Sequence, residues 1–464
     1  MKIKSFFIIS FLTLHVLILK SQSIYGYWEG KIAISKSDSL TIGLNITHKS
    51  DTIILELDSP DQFFIGQAAE FINIDSSQIS FSVSAFDVNF SGKHLNTNVI
   101  EGVFSQRGKK FPLLLKKGKE RKLFLRPQTP HPPFDYNIRE INFKDVKNRY
   151  NLISGTLTIP KNPKALVIFI SGSGWQDRDE SCFGHKPFAV LSDACSRAGI
   201  ATFRYDDFPL AVFQKSTTFD FSDAVNMIID SLKAIPELKN LKKGLIGHSE
   251  GSLVAFIAAS KNPEIAFTIH LSGVSQHIYD ILSYQIYALS AADSSVSEDF
   301  INKSLEISQE LYKVVKKSKN VNVCIDALIE RWDKITQKLS EDEIEAYKMT
   351  PDKKFSSIYS LSTPWYFTLF HIEPKKYLKN VKSPVLAISG NKDLQICASD
   401  AIYFMRKYLP HNNLNKFIVK DNLNHLLQPC TTGTIDEYSK IETTISENVI
   451  KEILIWISEV VLEK

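Results

Sequence analysis

Among the 464 residues of this chain, those best suited to chemistry are a serine set between glycines and, far downstream, one aspartate and one histidine. Gly247-His248-Ser249-Glu250-Gly251 directly follows the short apolar run Gly244–Ile246 and precedes the helical run Leu253–Ala259. A G-x-S-x-G between a strand and a helix marks a turn tight enough to project its central residue clear of the backbone, and small residues two positions either side prevent clashes there. Outside that context the same letters describe an ordinary loop. A serine hydroxyl is a weak nucleophile until a base removes its proton, and a histidine base needs a third group to fix its tautomer. Asp393 lies just after the apolar run Val385–Ser389, and His425 lies in Asp421–Gln428 after Phe417–Val419. The chain order serine, acid, histidine is the one a serine nucleophile on such a turn requires. Asp400 is the alternative acid, placed less naturally inside the next helix.

Acyl chemistry also needs donors for the developing oxyanion. The backbone N–H of Glu250 is one, and the loop Ser171-Gly172-Ser173-Gly174 after Ala165–Ile170 supplies the other from Ser173, with Gly174 the near alternative. The charged run Asp177-Arg178-Asp179-Glu180 reads as an ion-pair brace for that loop, with contact to a polar substrate group as the competing reading. Trp175, Phe208, Trp365, Tyr366 and Phe367 are candidates to line an acyl pocket. No cofactor motif is completed: neither GxGxxG nor GxxxxGK[ST] is present, the five cysteines lack CxxC spacing, and the histidines include no HExxH.

The elements that must position these residues follow from patterning. From about residue 135, continuous apolar runs (Ala165–Ile170, Ile200–Tyr205, Gly244–Ile246, Ile265–Leu271, Val385–Ser389, Phe417–Val419) alternate with helical stretches (Lys186–Ala198, Asp220–Ala234, Ser252–Ala259, Asn448–Val461). Strands that are apolar throughout are buried on both faces, so the expectation is an α/β fold: a mostly parallel sheet flanked by helices. Between Gly273 and Gly390 there is no glycine, and between Pro263 and Pro351 no proline, which predicts a helical insertion over about 276–372 that acts as a lid. Upstream, residues 24–125 alternate with period two (Ser39–Ile46, Thr52–Leu57, Gln78–Val83, Phe111–Leu115) and predict a small all-β domain, sandwich or barrel, with a structural or binding role. Residues 126–134 hold four prolines and read as a stiff linker to the domain 135–464.

Residues 1–23 combine a basic start with the apolar run Phe6–Leu19 and small residues at Ser21 and Ser23, the pattern of an export signal. A buried strand or an uncleaved anchor is the alternative. The formal net charge of +4 falls to +1 once Lys2, Lys4 and Lys20 leave with that segment. A near-neutral chain offers no electrostatic case for nucleic acid, and the expected partner is a small-molecule acyl substrate, with no stable membrane span after signal removal and the oligomeric state left open. In an oxidising compartment Cys397 and Cys430, four and five residues past Asp393 and His425, would be close enough to consider a bridge clamping the two loops.

Taken together, Ser171–Glu180 (SGSGWQDRDE), Gly184–Asp193 (GHKPFAVLSD), Arg204–Asp207 (RYDD), Ile246–Ser252 (IGHSEGS), Ser389–Gln395 (SGNKDLQ) and Asn424–Gln428 (NHLLQ) make residues 135 to the C-terminus resemble the α/β-hydrolase superfamily. The resemblance is closest to secreted bacterial hydrolases of the serine-aminopeptidase and dienelactone-hydrolase-like type that carry an N-terminal β-rich domain. It implies a triad of Ser249, Asp393 and His425 and hydrolysis of a carboxylic ester or related acyl bond. A peptidase or aminopeptidase on the same triad, or a non-catalytic binding protein on the same fold, are the rival readings. Two departures stand out: Phe208-Pro209-Leu210 replaces the usual arginine and glycines after RYDD, and Ser252 replaces a glycine after the elbow.

Overall fold

A computed structural model describes residues 24–462, except 35–37, 50–51, 63, 75–76, 119–120, 122–124 and 144–152. The expected export signal, 1–23, lies outside the described residues. The chain divides into two compact units, Met1–Leu123 and Phe124–Lys464.

The first unit is a single nine-stranded antiparallel sheet. Its first strand, Gly26–Ala33, also pairs with its last, Lys109–Lys117, which leaves Phe64–Ala68 and Glu70–Ile74, consecutive in sequence, as the two edges. Gln78–Val83 shows the half-buried alternation that its sequence predicts. One cluster gathers Trp28, Leu44, Leu57, Phe81, Phe90 and Leu115 from strands across the whole sheet, so the sheet curls round a common core instead of packing against a second one. Inside this unit Asp58, fully buried, is held by two nitrogens of Arg121 at 2.6 and 2.8 Å.

The second unit is built on an eight-stranded sheet: β1 (Asn137–Phe143), β2 (Ile153–Ile159), β3 (Ala165–Ile170), β4 (Ile200–Tyr205), β5 (Lys242–His248), β6 (Ile265–Leu271), β7 (Val385–Gly390) and β8 (Lys416–Lys420). The spatial order is β1-β2-β4-β3-β5-β6-β7-β8. β2 runs antiparallel to both its neighbours, and from β4 to β8 every pairing is parallel. β1 and β2 were not among the strands expected from the pattern, because β1 is an exposed edge strand of mixed polarity and the buried β2 is interrupted by Ser154, Gly155, Thr156 and Thr158.

Every residue of β3 is buried, and successive residues serve opposite cores. Leu166, Ile168 and Ile170 pack with α2 (Thr218–Leu232) and α3 (Glu250–Lys261), whereas Ala165, Val167 and Phe169 pack with α1 (Pro187–Arg197) and the C-terminal helix Glu447–Leu462. That two-sided burial is why the strands read as unbroken apolar runs.

Between β6 and β7 the insertion is helical: α4 (Ile278–Ala291), α5 (Glu298–Lys317), α6 (Val321–Thr336), α7 (Glu341–Ala346), α8 (Pro351–Ser362) and α9 (Pro364–His371), the last two each starting on a proline. α5 starts on a Ser297 cap that accepts from the Phe300 N–H, carries Glu298 and Asp299 in its first turn, and ends on Lys316 and Lys317, all matched to the helix dipole. The insertion has its own core of Leu311, Val315, Leu328, Trp332 and Phe370. All five cysteines are free, so the bridge considered between Cys397 and Cys430 is not formed. Cys397 Sγ turns instead toward Ser399 Oγ, 3.3 Å away on the first turn of its own helix.

Candidate active site

Ser249 sits at the junction of β5 and α3 with φ 51° and ψ −119°, a conformation that non-glycine residues rarely adopt. The turn leaves no room beside it. A Cβ on Gly247 would lie 2.3 Å from the Gly251 carbonyl oxygen, and one on Gly251 would lie 2.2 Å from that of Ile170. The strained turn is pinned by Ser249 N–H to Leu271 O (3.0 Å), Val274 N–H to Ser249 O (3.2 Å) and Ser252 Oγ to Gly247 O (2.9 Å). Ser252, the departure from glycine, thus acts as a lock on the turn.

The loop after β7 buries Asp393 to 2% exposure. Its Oδ1 accepts from the Gln395 and Ile396 N–H groups, both at 2.8 Å, and its Oδ2 from His425 Nδ1 at 2.8 Å. The proton is therefore on Nδ1, and Nε2 of His425 is the free basic nitrogen. The loop after β8 holds His425 through its own side chains: Asn424 Oδ1 accepts from the Leu426 and Gln428 N–H groups, and Asn424 Nδ2 donates to Gln428 Oε1. Tyr284 of α4 reaches down to donate to the Asp393 carbonyl at 2.8 Å.

The loop after β3 is braced from below. Arg178 bonds Asp206 and Glu140, Arg204 pairs with Asp179, and Asp207 Oδ2 accepts from the Gln176 N–H at 2.7 Å. Burial pushes the Asp207 carboxyl up to about 7 despite that backbone bond, with Glu250 and Glu180 adding repulsion. Gly172 N–H is consumed by Glu180 Oε1 at 2.7 Å. Ser173 Oγ donates to Glu250 Oε2 at 2.9 Å, while the N–H groups of Ser173 and Glu250 donate to nothing among the described residues. The Glu250 side chain also takes Thr218 Oγ1 at 2.9 Å and Trp365 Nε1 at 2.8 Å. Burial raises its pKa, and these three donors work the other way.

Above Ser249 and His425 lies a cavity of about 320 Å³. Its walls are largely apolar: Leu253 and Val274 from the core, Ile278, Ile281, Leu282, Trp365, Tyr366 and Leu369 from the insertion, and Ile396 and Leu426 from the loops of Asp393 and His425. Gln285 and Gln395 bring neutral amides. Among the described residues no group of three or more His, Cys, Asp and Glu is placed to hold a metal, and no helix is long and apolar enough to cross a membrane.

No protein-family profile matches the chain. Esterase EstD of Thermotoga maritima is 26% identical over 322 residues, which cover 68% of each chain. The fold of the second unit, its elbow after β5 and this relative agree. The second unit has the α/β-hydrolase fold, and the chain is similar to an esterase. Solved structures similar to this hydrolase include Est1E from Butyrivibrio proteoclasticus (14% identity, TM-score 0.40, 70% of this chain and 99% of that one) and a dienelactone hydrolase from Anabaena variabilis (14%, TM-score 0.39, 70% and 98%).

Of the residues expected to do chemistry in this hydrolase, Ser249, His425, Ser173, Glu250 and Trp365 all line the one cavity, with Asp393 behind His425. Gly174 and the exposed Asp400 do not line it. Two expected pocket residues lie elsewhere. Phe208 is 3% exposed in the core, packed on Phe221 at a ring distance of 5.7 Å. Trp175 is 55% exposed and donates from Nε1 to the Phe208 carbonyl. Pro209 starts a short helix, Leu210–Phe213, that turns Phe208 inward, which is why the bulkier RYDD continuation does not crowd the site. Tyr366 lines the cavity, whereas Phe367 packs in the core of the insertion.

Sequence reasoning missed His248 and gave Glu180 only a bracing role. His248 Nδ1 lies 2.9 Å from Glu180 Oε1, and its Nε2 lies 3.0 Å from the His425 carbonyl oxygen. Burial works to lower the pKa of His248, but the Glu180 charge and hydrogen bond outweigh it and raise the pKa above the ordinary imidazole value. The only signal was that a histidine next to the nucleophile must fall on a buried strand end, where an imidazole needs partners.

Proposed function

We propose that the chain is a serine hydrolase that cleaves a neutral carboxylic ester through an acyl-enzyme. Ser249 Oγ attacks the carbonyl carbon as His425 Nε2 takes its proton, and Asp393 orients the imidazole and stabilises the imidazolium. The Ser173 and Glu250 amides receive the oxyanion, His425 then protonates the leaving alcohol, and water reverses the sequence to release the acid. The observation that carries the reading is the buried Asp393–His425 bond at 2.8 Å, behind the wall of the cavity that His425 and the strained Ser249 line.

The cavity walls favour a neutral, apolar acyl group. Both buried carboxylates among the lining residues are occupied: Glu180 accepts from Gly172 and lies 2.9 Å from His248 Nδ1, and Glu250 accepts from Ser173, Thr218 and Trp365. Neither is left for the free amine that an aminopeptidase must bind, so the ester reading stands ahead of the peptidase one. Seven cavity residues come from the insertion, in keeping with a lid. Residues 1–23 we take as an export signal, which intact-mass measurement of secreted protein would test by the loss of that segment.

The test of activity is a panel of p-nitrophenyl esters from acetate to decanoate with wild type and Ser249→Ala. Wild type should hydrolyse the uncharged short and medium chains, and Ser249→Ala should lose activity by at least about 10³-fold. Equal rates for the two proteins, or no labelling of Ser249 by a fluorophosphonate, would refute the proposal and leave a binding protein on a hydrolase fold.

A further inference from the structure

Three chain segments that must stay in register around the reaction meet on one buried side-chain pair. Glu180, 4% exposed, accepts from the Gly172 N–H of the oxyanion loop and faces Nδ1 of His248 through the same Oε1. His248, 8% exposed and covalently next to Ser249, faces the backbone oxygen of His425 through Nε2. The two imidazole rings lie 4.8 Å apart. Glu180 holds φ 52°, a left-handed conformation costly for a residue with a Cβ and one that persists only where its surroundings enforce it. A Cβ on Gly172 would touch Ser249 Cβ, Glu180 Oε1 and His248 Nδ1, each within 3.4 Å, so the pair is wedged directly under the nucleophile.

The hydrogen count follows from the partners. A backbone carbonyl only accepts, so Nε2 of His248 donates to His425; with Glu180 ionised, its Oε1 accepts from both Gly172 and His248 Nδ1, and both ring nitrogens then carry a proton. We propose that His248 is an imidazolium at neutral pH which, paired with Glu180, acts as a positioning residue that ties the oxyanion loop, the nucleophile turn and the His425 loop together. Loss of one proton from His248 would set a bare ring nitrogen against an acceptor oxygen and open one end of the tie. The titratable groups that face or flank His248 are Glu180 and Cys182 of the oxyanion loop, Glu250 of the elbow, Asp393 after β7, and His425 with Tyr438 near the C-terminus. Among these only Glu180 is hydrogen-bonded to its ring by a side chain.

This inference rests on the proposed hydrolase reading for its kinetic consequence, but its structural half is separable. Nitrogen-15 NMR of wild-type protein should show His248 with both ring nitrogens protonated from pH 6 to pH 8. A neutral tautomer at pH 7 would overturn the proposal whatever the enzyme's activity. In kinetics, Glu180→Gln keeps an oxygen that accepts from Gly172 and His248 but removes the charge. It should move the alkaline limb of kcat down by about one pH unit or more, since an opposite charge at hydrogen-bond distance is worth one to three units. A Glu180→Gln protein with a wild-type alkaline limb would refute the charged tie. Failure of the hydrolase reading would register differently, as activity unaffected by Ser249→Ala with the His248 NMR signature intact.

Discussion

Asp393→Asn tests the geometry of the base most sharply, because the structure dictates which way the new amide must face. Oδ1 of Asp393 accepts two backbone N–H groups at 2.8 Å, from Gln395 and Ile396, and Oδ2 accepts from His425. In the variant the amide oxygen must stay toward the two N–H groups, and the NH₂ must face His425 Nδ1. That nitrogen then becomes an acceptor, the proton moves to Nε2, and His425 loses the lone pair that Ser249 needs. To recover the productive tautomer the amide has to flip and set its NH₂ against two N–H donors. Each unsatisfied buried donor costs about 1–3 kcal/mol, so the productive form is about 2–6 kcal/mol uphill. With 1.36 kcal/mol per decade, kcat should fall between about 30-fold and about 10⁴-fold. KM should change little, because Asp393 is behind His425 and not on the cavity wall. The assay is ester hydrolysis by purified variant and wild type near neutral pH, with thermal melts to confirm folding. A folded Asp393→Asn enzyme that retains more than a tenth of wild-type kcat would refute the assignment of acid and tautomer together.

Other perturbations probe the supports of the site. Gly251→Ala places a methyl 2.2 Å from the Ile170 oxygen and 2.6 Å from that of Ser171, so it should cost about 1–3 kcal/mol or more in melting experiments and lower kcat over tenfold by displacing the oxyanion loop. Asp207 has a folded-state pKa of about 7 against 3.8 in its ordinary state, so the folded chain holds this proton more tightly than the unfolded one. The stability it contributes is therefore full below about pH 4 and is lost as pH rises to about 7. Asp207→Asn, which still accepts from Gln176, should shrink the fall in Tm between pH 5 and pH 8; unchanged slopes would show Asp207 ionised in the fold. Trp365→Phe removes the indole bond to the buried Glu250, which should cost about 1–3 kcal/mol. The cost should be larger at pH 8 than at pH 5, since the bond favours the ionised carboxylate, and melts at the two pH values would show it.

Much of this hydrolase could be read from residue order because its constraints are local. Gly247 and Gly251 are demanded by a turn in which either Cβ would strike backbone, and continuous apolar runs such as Ala165–Ile170 are demanded by burial on both faces of one strand. The long stretch without glycine or proline between β6 and β7 likewise has no way to be anything but helical for most of its length. Even Asp393 and His425 follow locally, each in the loop after an apolar strand. The strands β1 and β2 escaped, since β1 is an exposed edge and β2, though buried, is broken up by Ser154, Gly155, Thr156 and Thr158, so neither carries an unbroken apolar signal.

What only the tertiary structure decided is which neighbours satisfy buried polar groups. Nothing local distinguishes Phe208, which fills a core, from Trp365, which lines the cavity and bonds Glu250, because an aromatic side chain suits either place. Nothing local joins Glu180 to His248, 68 positions apart, or His248 to the carbonyl of His425, 177 positions apart. Nor could loop positions say whether Cys397 and Cys430 turn toward each other; Cys397 turns to its own helix and both remain thiols. Backbone strain and strand burial are properties of a few consecutive residues and so are written in the order of the chain. Hydrogen-bond satisfaction in a dry interior is a property of whatever the fold brings within about 3 Å, and it was there that the register of the site was settled.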